Sequence, residues 1–175
     1  MSRTDLTNQY FARLHTFMNA SNNETDRGRA LVAASLIEEM LEEILRSFLR
    51  EGSETSKLFE APNAPLSSLH SKALLSRSLC LISAAEFKDI DLIRRIRNEF
   101  AHSILCSFED AKIVAWAKDL KAGMGILDVL DSEHESRVED PKQRFGMVTI
   151  SVVSTLYNCA HYVEKKKIVE TDYPD

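Results

Sequence analysis

The run Ala30-Leu31-Val32-Ala33-Ala34-Ser35-Leu36-Ile37-Glu38-Glu39-Met40-Leu41-Glu42-Glu43-Ile44-Leu45 decides the fold. Ala30, Ala33, Ala34, Ile37, Met40, Leu41, Ile44 and Leu45 recur at intervals of three and four, which lays them along one wide face of an α-helix. A half-buried strand needs apolar residues at every second position, and this run does not alternate. The stripe continues to Phe48, so the spacing predicts a helix over about Asp26 to Arg50, ended by Gly52-Ser53.

The same pattern spreads in both directions. An earlier helix is expected from about Asp5 to Asn19, carried by Leu6, Tyr10, Leu14 and Phe17, with the polar run Ser21 to Asp26 after it. Leu58 to Leu66 holds Pro62 and Pro65 around Asn63, so it reads as an ordered loop rather than a helix interior. Helices follow over Ser67 to Ile82 and from Ser83 to about Ile104. The second opens with the capping box Ser83-Ala84-Ala85-Glu86. Ser107-Phe108-Glu109-Asp110 resembles another cap, for a helix to about Lys121 that Gly123 and Gly125 end. Ser132 to Asp140 reads as a charged surface loop, and Pro141 as the start of a last helix reaching Lys165-Lys166-Lys167. The tail Thr171 to Asp175 reads as frayed. With no Asn-Gly or Asp-Gly hairpin signal, the expectation is a single all-α domain over residues 1–175, a bundle of six or seven helices.

Composition agrees and excludes several functions. Among 175 residues, only 5 Gly and 4 Pro interrupt helices, and an apolar share of 44% is too high for a disordered chain. No run of about 18 apolar residues offers a membrane span. Asp5, Asn8 and Gln9 stand where a secretion signal needs an apolar block. The odd set Cys80, Cys106 and Cys159 fits reduced thiols, so a cytoplasmic protein is expected. There, the sequon Asn23-Glu24-Thr25 has no meaning. A net charge of −5 argues against holding nucleic acid by bulk charge. No Cys-x-x-Cys, Gly-rich phosphate loop, Gly-x-Ser-x-Gly or His-Glu-x-x-His occurs, and His134-Glu135 has no second histidine four residues on. Glu38, Glu39, Glu42 and Glu43 resemble part of a di-metal set, but the Glu-x-x-His partners are missing. Neither a metal nor a cofactor is expected.

One segment carries an anomaly. In Ile90 to His102, at about 100° per residue, Leu92, Ile93, Ile96 and Phe100 share an apolar arc, and Arg97 falls inside it. A guanidinium cannot shed its charge, so on a buried face it needs an acidic partner or a ligand. On the Asp26 to Arg50 helix, Glu38 falls among Leu31, Leu45 and Leu49 while Glu39 and Glu43 point elsewhere. The two wheels therefore predict a Glu38–Arg97 ion pair between the helices, with Arg97→Ala costing roughly 3 kcal/mol. Asn98 and His102 lie one turn apart on the adjacent flank, with Arg94 in their row. A helix-turn-helix over Ser67 to Ile104 is disfavoured, because its second helix is long, apolar and has Arg97 on the buried side; direct sequence-specific DNA binding is not expected. Lys165-Lys166-Lys167 reads as a solvated helix end.

Two resemblances add to this reading. Arg97-Asn98-Glu99-Phe100-Ala101-His102 resembles the Arg-Asn-x-x-x-His signature of the HEPN superfamily of helical bundles. Many such members are metal-independent ribonucleases in which two copies of the motif face each other across a dimer. That resemblance implies catalytic roles for Arg97 and His102 at the scissile phosphate and 2′-hydroxyl, with Asn98 positioning the histidine. An arginine can stabilise phosphorane charge and an imidazole can pass protons.

A longer resemblance, over about Glu24 to Leu120, is to the mannitol operon repressor family. It rests on Asp26-Arg27, Ala30 to Ala34, Glu38 to Glu43, Ala61-Pro62-Asn63-Ala64-Pro65-Leu66, Leu81-Ile82-Ser83 and Leu92 to His102. It implies an all-α cytosolic regulator that represses transcription through protein partners. The primary expectation is therefore a partner-dependent regulator, with the Pro62, Asn63 and Pro65 loop as an ordered element or partner contact. The alternative is a homodimeric ribonuclease that uses Arg97, Asn98 and His102 and takes RNA as substrate.

Overall fold

The computed structural model describes residues 12, 15, 16, 19, 24–123 and 139–163. Six helices are defined among them: α1 Asp26–Phe48, α2 Ser53–Glu60, α3 Leu69–Ser78, α4 Ala84–His102, α5 Ala111–Lys118 and α6 Pro141–Tyr162. No strand occurs among the described residues, and the protein is all-α as expected. Of the first expected helix, only residues 12, 15, 16 and 19 are described, and they are helical. Most of the charged 132–140 segment, the lysine run 165–167 and the tail lie outside the described residues.

Helix α1 begins where Thr25 accepts the Gly28 N–H at 3.1 Å, which satisfies one of the amides a helix start leaves open. All eight residues of its apolar stripe are buried. The small residues Ala30, Ala33 and Ala34 keep that face low, and α1 packs against α3, α4 and α6. One buried cluster joins α1 to Leu69 and Ala73, to Ile90 through Phe100, to Ile113, and to Phe145 through Leu156. Within it, the Phe108 ring sits 5.0 Å from Phe100 and 5.3 Å from Phe145, both tilted, so it joins α4 to α6.

Several boundaries differ from expectation. Helix α2 lies where the end of a helix and a loop are expected. It buries none of its residues, so periodicity gives no sign of it. It is held by Arg46 of α1, which donates to Glu60 at 2.8 Å and lies 4.3 Å over the Phe59 ring. The two prolines then do what their chemistry dictates. Ala61, before Pro62, is extended, and Asn63 takes a left-handed φ of 60°. The resulting loop hangs on the buried Ala64 and Leu66, while Pro62, Asn63 and Pro65 face solvent.

Helix α3 stops at Ser78 rather than Ile82, because Cys80 adopts φ 57° and Leu81 N–H returns to the Ser76 carbonyl at 2.9 Å. The Ser83–Glu86 capping box of α4 forms as expected. Helix α5 starts at Ala111 rather than Ser107, since Phe108 is drawn into the aromatic cluster. Pro141 occupies the first turn of α6, and the Asp140 side chain accepts the Lys142 N–H at 2.9 Å.

Candidate functional site

Three elements meet around a cavity of about 360 Å³. Helix α1 contributes Ala34, Ser35 and Glu38, the start of α3 contributes Ser67 to His70, and α4 contributes Arg94, Arg97 and Asn98. Arg97 reaches it because α4 is anchored on both sides. Ile93, Ile96 and Phe100 are fully buried, and the α4 end is tied to α1 by Arg27, which donates to the Ala101 carbonyl at 2.7 Å.

The expected Glu38–Arg97 pair is not the contact the structure makes. Both side chains line the cavity, but Glu38 accepts from Lys72 of α3 at 3.0 Å, and Lys72 also reaches Glu42 at 2.9 Å. Arg97 donates instead to Asn98 Oδ1 at 3.0 Å. The cation that Glu38 meets comes from a third helix, α3. Lys72 sits on the buried stripe Leu69, Lys72, Ala73 and Ser76 with only 8% of its side chain exposed. A wheel drawn for that segment places a lysine inside its apolar arc, the same sign that exposed Arg97.

Charges around the cavity are otherwise matched. Asp91 accepts from Arg94 at 2.7 Å and Arg95 at 2.8 Å, with His70 Nδ1 at 3.9 Å. Burial pushes the Asp91 carboxyl up, but the two arginines outweigh it and hold the group below its ordinary value. Glu42 behaves alike: burial raises it, and Lys72 with Arg46 brings it below 4.5. For Lys72, burial works against the charge, but bonds from Glu42 and Glu38 dominate and raise it above 10.5.

Away from the cavity lies a buried acid, Asp89, that helix spacing alone did not bring out. Asp89 is 1% exposed and accepts the Lys121 and Ala122 N–H groups at 3.0 and 2.8 Å. It stitches the end of α5 to α4. Burial raises its carboxyl, and the two amides only partly offset this. Its spacing to Ile93, Ile96 and Phe100 was the available sign.

The structure separates the motif residues. Arg97 and Asn98 line the cavity; His102 does not, and it is exposed at the end of α4, about 140° around the helix from Arg97. Among the described residues, no group of three or more His, Cys, Asp or Glu is placed to hold a metal ion. The three cysteines are unbridged. Burial, then the Asp110 carboxylate, pushes the Cys106 thiol up to about 11, away from thiolate reactivity. No described helix is long and apolar enough to cross a membrane.

No protein-family model and no curated protein sequence matches the chain. Among solved structures, it matches a chain of the X-ray structure of the MtlR-HPr complex from Escherichia coli, with 19% identity and a TM-score of 0.57. The match covers 89% of this chain and 98% of that one. What the two share is the fold, an MtlR-like arrangement of helices.

Proposed function

We propose that this chain is a cytoplasmic regulator that acts on transcription through a protein partner, as the mannitol operon repressor family does. The observation that carries the reading is the near-complete overlap in fold with a structure solved as a complex with a second protein, HPr. The order of blocks from Asp26 to His102 supports it. The partner surface we favour is the loop around Pro62, Asn63 and Pro65, which is exposed yet held in shape by the buried Ala64 and Leu66. Such a surface costs little entropy to bind.

Affinity capture of the full chain from its native host, read by mass spectrometry, tests this, with titration of Escherichia coli HPr as a defined probe. A stoichiometric partner is expected, and Asn63→Arg should weaken it at least tenfold while the chain stays folded at the assay temperature, the left-handed φ of Asn63 costing the variant only about 1 kcal/mol. A chain that stays alone in the capture and shows no saturable binding to HPr removes the proposal.

A second reading has its own support. His102 is exposed and followed by the exposed Ile104 and Leu105, an apolar edge that a second copy would cover. Arg97 meanwhile meets no carboxylate among the described residues. A dimeric ribonuclease using Arg97, Asn98 and His102 would cleave a fluorescent RNA without added metal and lose that activity in His102→Ala. The regulatory reading expects no cleavage, and partner binding unchanged by His102→Ala.

A further inference from the structure

Among the described residues, one cation of the cavity between α1, α3 and α4, Arg97, meets no carboxylate. Lys72 answers Glu38 and Glu42, and Arg94 and Arg95 answer Asp91. Arg97 is half-buried in the cavity wall, and its one hydrogen bond among the described residues goes to a neutral amide. A partly desolvated guanidinium without a counter-charge is costly, and an oxyanion relieves that cost with charge-assisted bonds. The rest of the wall is rich in donors. Since Asn98 Oδ1 is taken by Arg97, the Asn98 NH₂ is left to donate. Ser35 and Ser67 bring hydroxyls to the rim. The first-turn amides of Leu69 and His70 have no acceptor within their own helix.

We propose that this cavity binds the phosphate group of a small phosphate monoester, with Arg97 as its principal ligand. Potential donors lie on three separate elements of the cavity wall, and a phosphate, with more acceptor oxygens than a carboxylate, can engage more of them. The volume of about 360 Å³ fits a small molecule. Glu38 repels it less than a bare carboxylate would, because Lys72, shared with Glu42, offsets part of its charge at 3.0 Å. The site lies within one chain and does not include His102, so it depends on neither the partner reading nor the ribonuclease reading.

The test is isothermal titration of the full chain with inorganic phosphate and, separately, with glycerol 3-phosphate, against chloride at matched ionic strength. One saturable site per chain is expected, tighter for the ester. Arg97→Gln should weaken it about tenfold or more. Arg95→Gln, at an exposed arginine held by Asp91 outside the cavity, should leave it unchanged. If Arg97→Gln fails to fold, Ser67→Asp places a negative charge at the exposed rim and should abolish binding. Tighter binding of inorganic phosphate than of the ester would show a free-anion site and overturn the monoester assignment. Absence of a saturable heat with either probe, or equal affinity in Arg97→Gln or Ser67→Asp, overturns the site itself.

Discussion

Lys72 lies where apolar side chains are expected, between two carboxylates of a neighbouring helix. Lys72→Met would take from Glu38 its described cation and leave Glu42 with Arg46 alone. Because those carboxylates are 30% exposed, the expected loss is about 2 kcal/mol in denaturant unfolding, below the cost of a fully buried pair. The sign with pH follows from the raised ammonium. Its contribution is complete below 10.5 and fades as pH climbs through the higher folded value. Glu42 and Asp91 act at the acid end, where their contribution is present above 4.5 and 3.8 and is lost as pH falls through their lowered folded values. Asp89 opposes them. Its carboxyl is raised, so its ionised form costs stability at neutral pH, and that cost is relieved as pH falls through the folded value. Asp89→Asn should therefore lose melting temperature more steeply than the parent as pH falls through the raised Asp89 value. Asp89→Ala, which strands two backbone amides, should cost about 2 kcal/mol at pH 7. With Glu38 already paired, Arg97→Ala should cost under about 1 kcal/mol rather than the 3 that a direct pair implies. At this scale the sequence showed that charged side chains sit on apolar arcs, yet a wheel carries no information about which neighbour faces which arc.

The loop from Ala61 to Ser68 shows what local chemistry decides in an element. Pro62 and Pro65 forbid a continuous helix, and Asn63 accepts the left-handed turn they leave. Asn63→Gly should keep stability within about 0.5 kcal/mol, while Asn63→Val should cost about 1 to 2 kcal/mol in thermal unfolding, since a branched side chain resists that φ. The Ser83–Glu86 capping box was legible for the same reason: its two bonds, at 3.2 and 2.6 Å, join residues three apart. Helix α2 was not legible. Its stabilising contacts come from Arg46, on another helix, and its own eight residues bury no stripe. The end of α3 was missed because Cys80 adopts a conformation usually left to glycine.

Across the whole molecule, the α1 stripe organises the bundle and the Phe100, Phe108 and Phe145 rings close it. Phe108→Ala should cost about 3 kcal/mol or more, seen as a drop in melting temperature, because a buried ring between two others leaves a cavity that helices cannot readily collapse. A bundle of this kind survives wide divergence, since any apolar side chain of suitable volume can fill the stripe. That accounts for a shared fold at 19% identity with a chain of the MtlR-HPr complex. By itself the sequence determined the all-α class, most helix starts and the presence of a cation on an apolar face, because periodicity, caps and prolines act within a turn or two of the chain. Only the tertiary structure decided that Lys72 takes Glu38 across 34 residues and leaves Arg97 to a cavity. Such pairings depend on which helices become neighbours and how each is rotated, which the packing of the whole core sets.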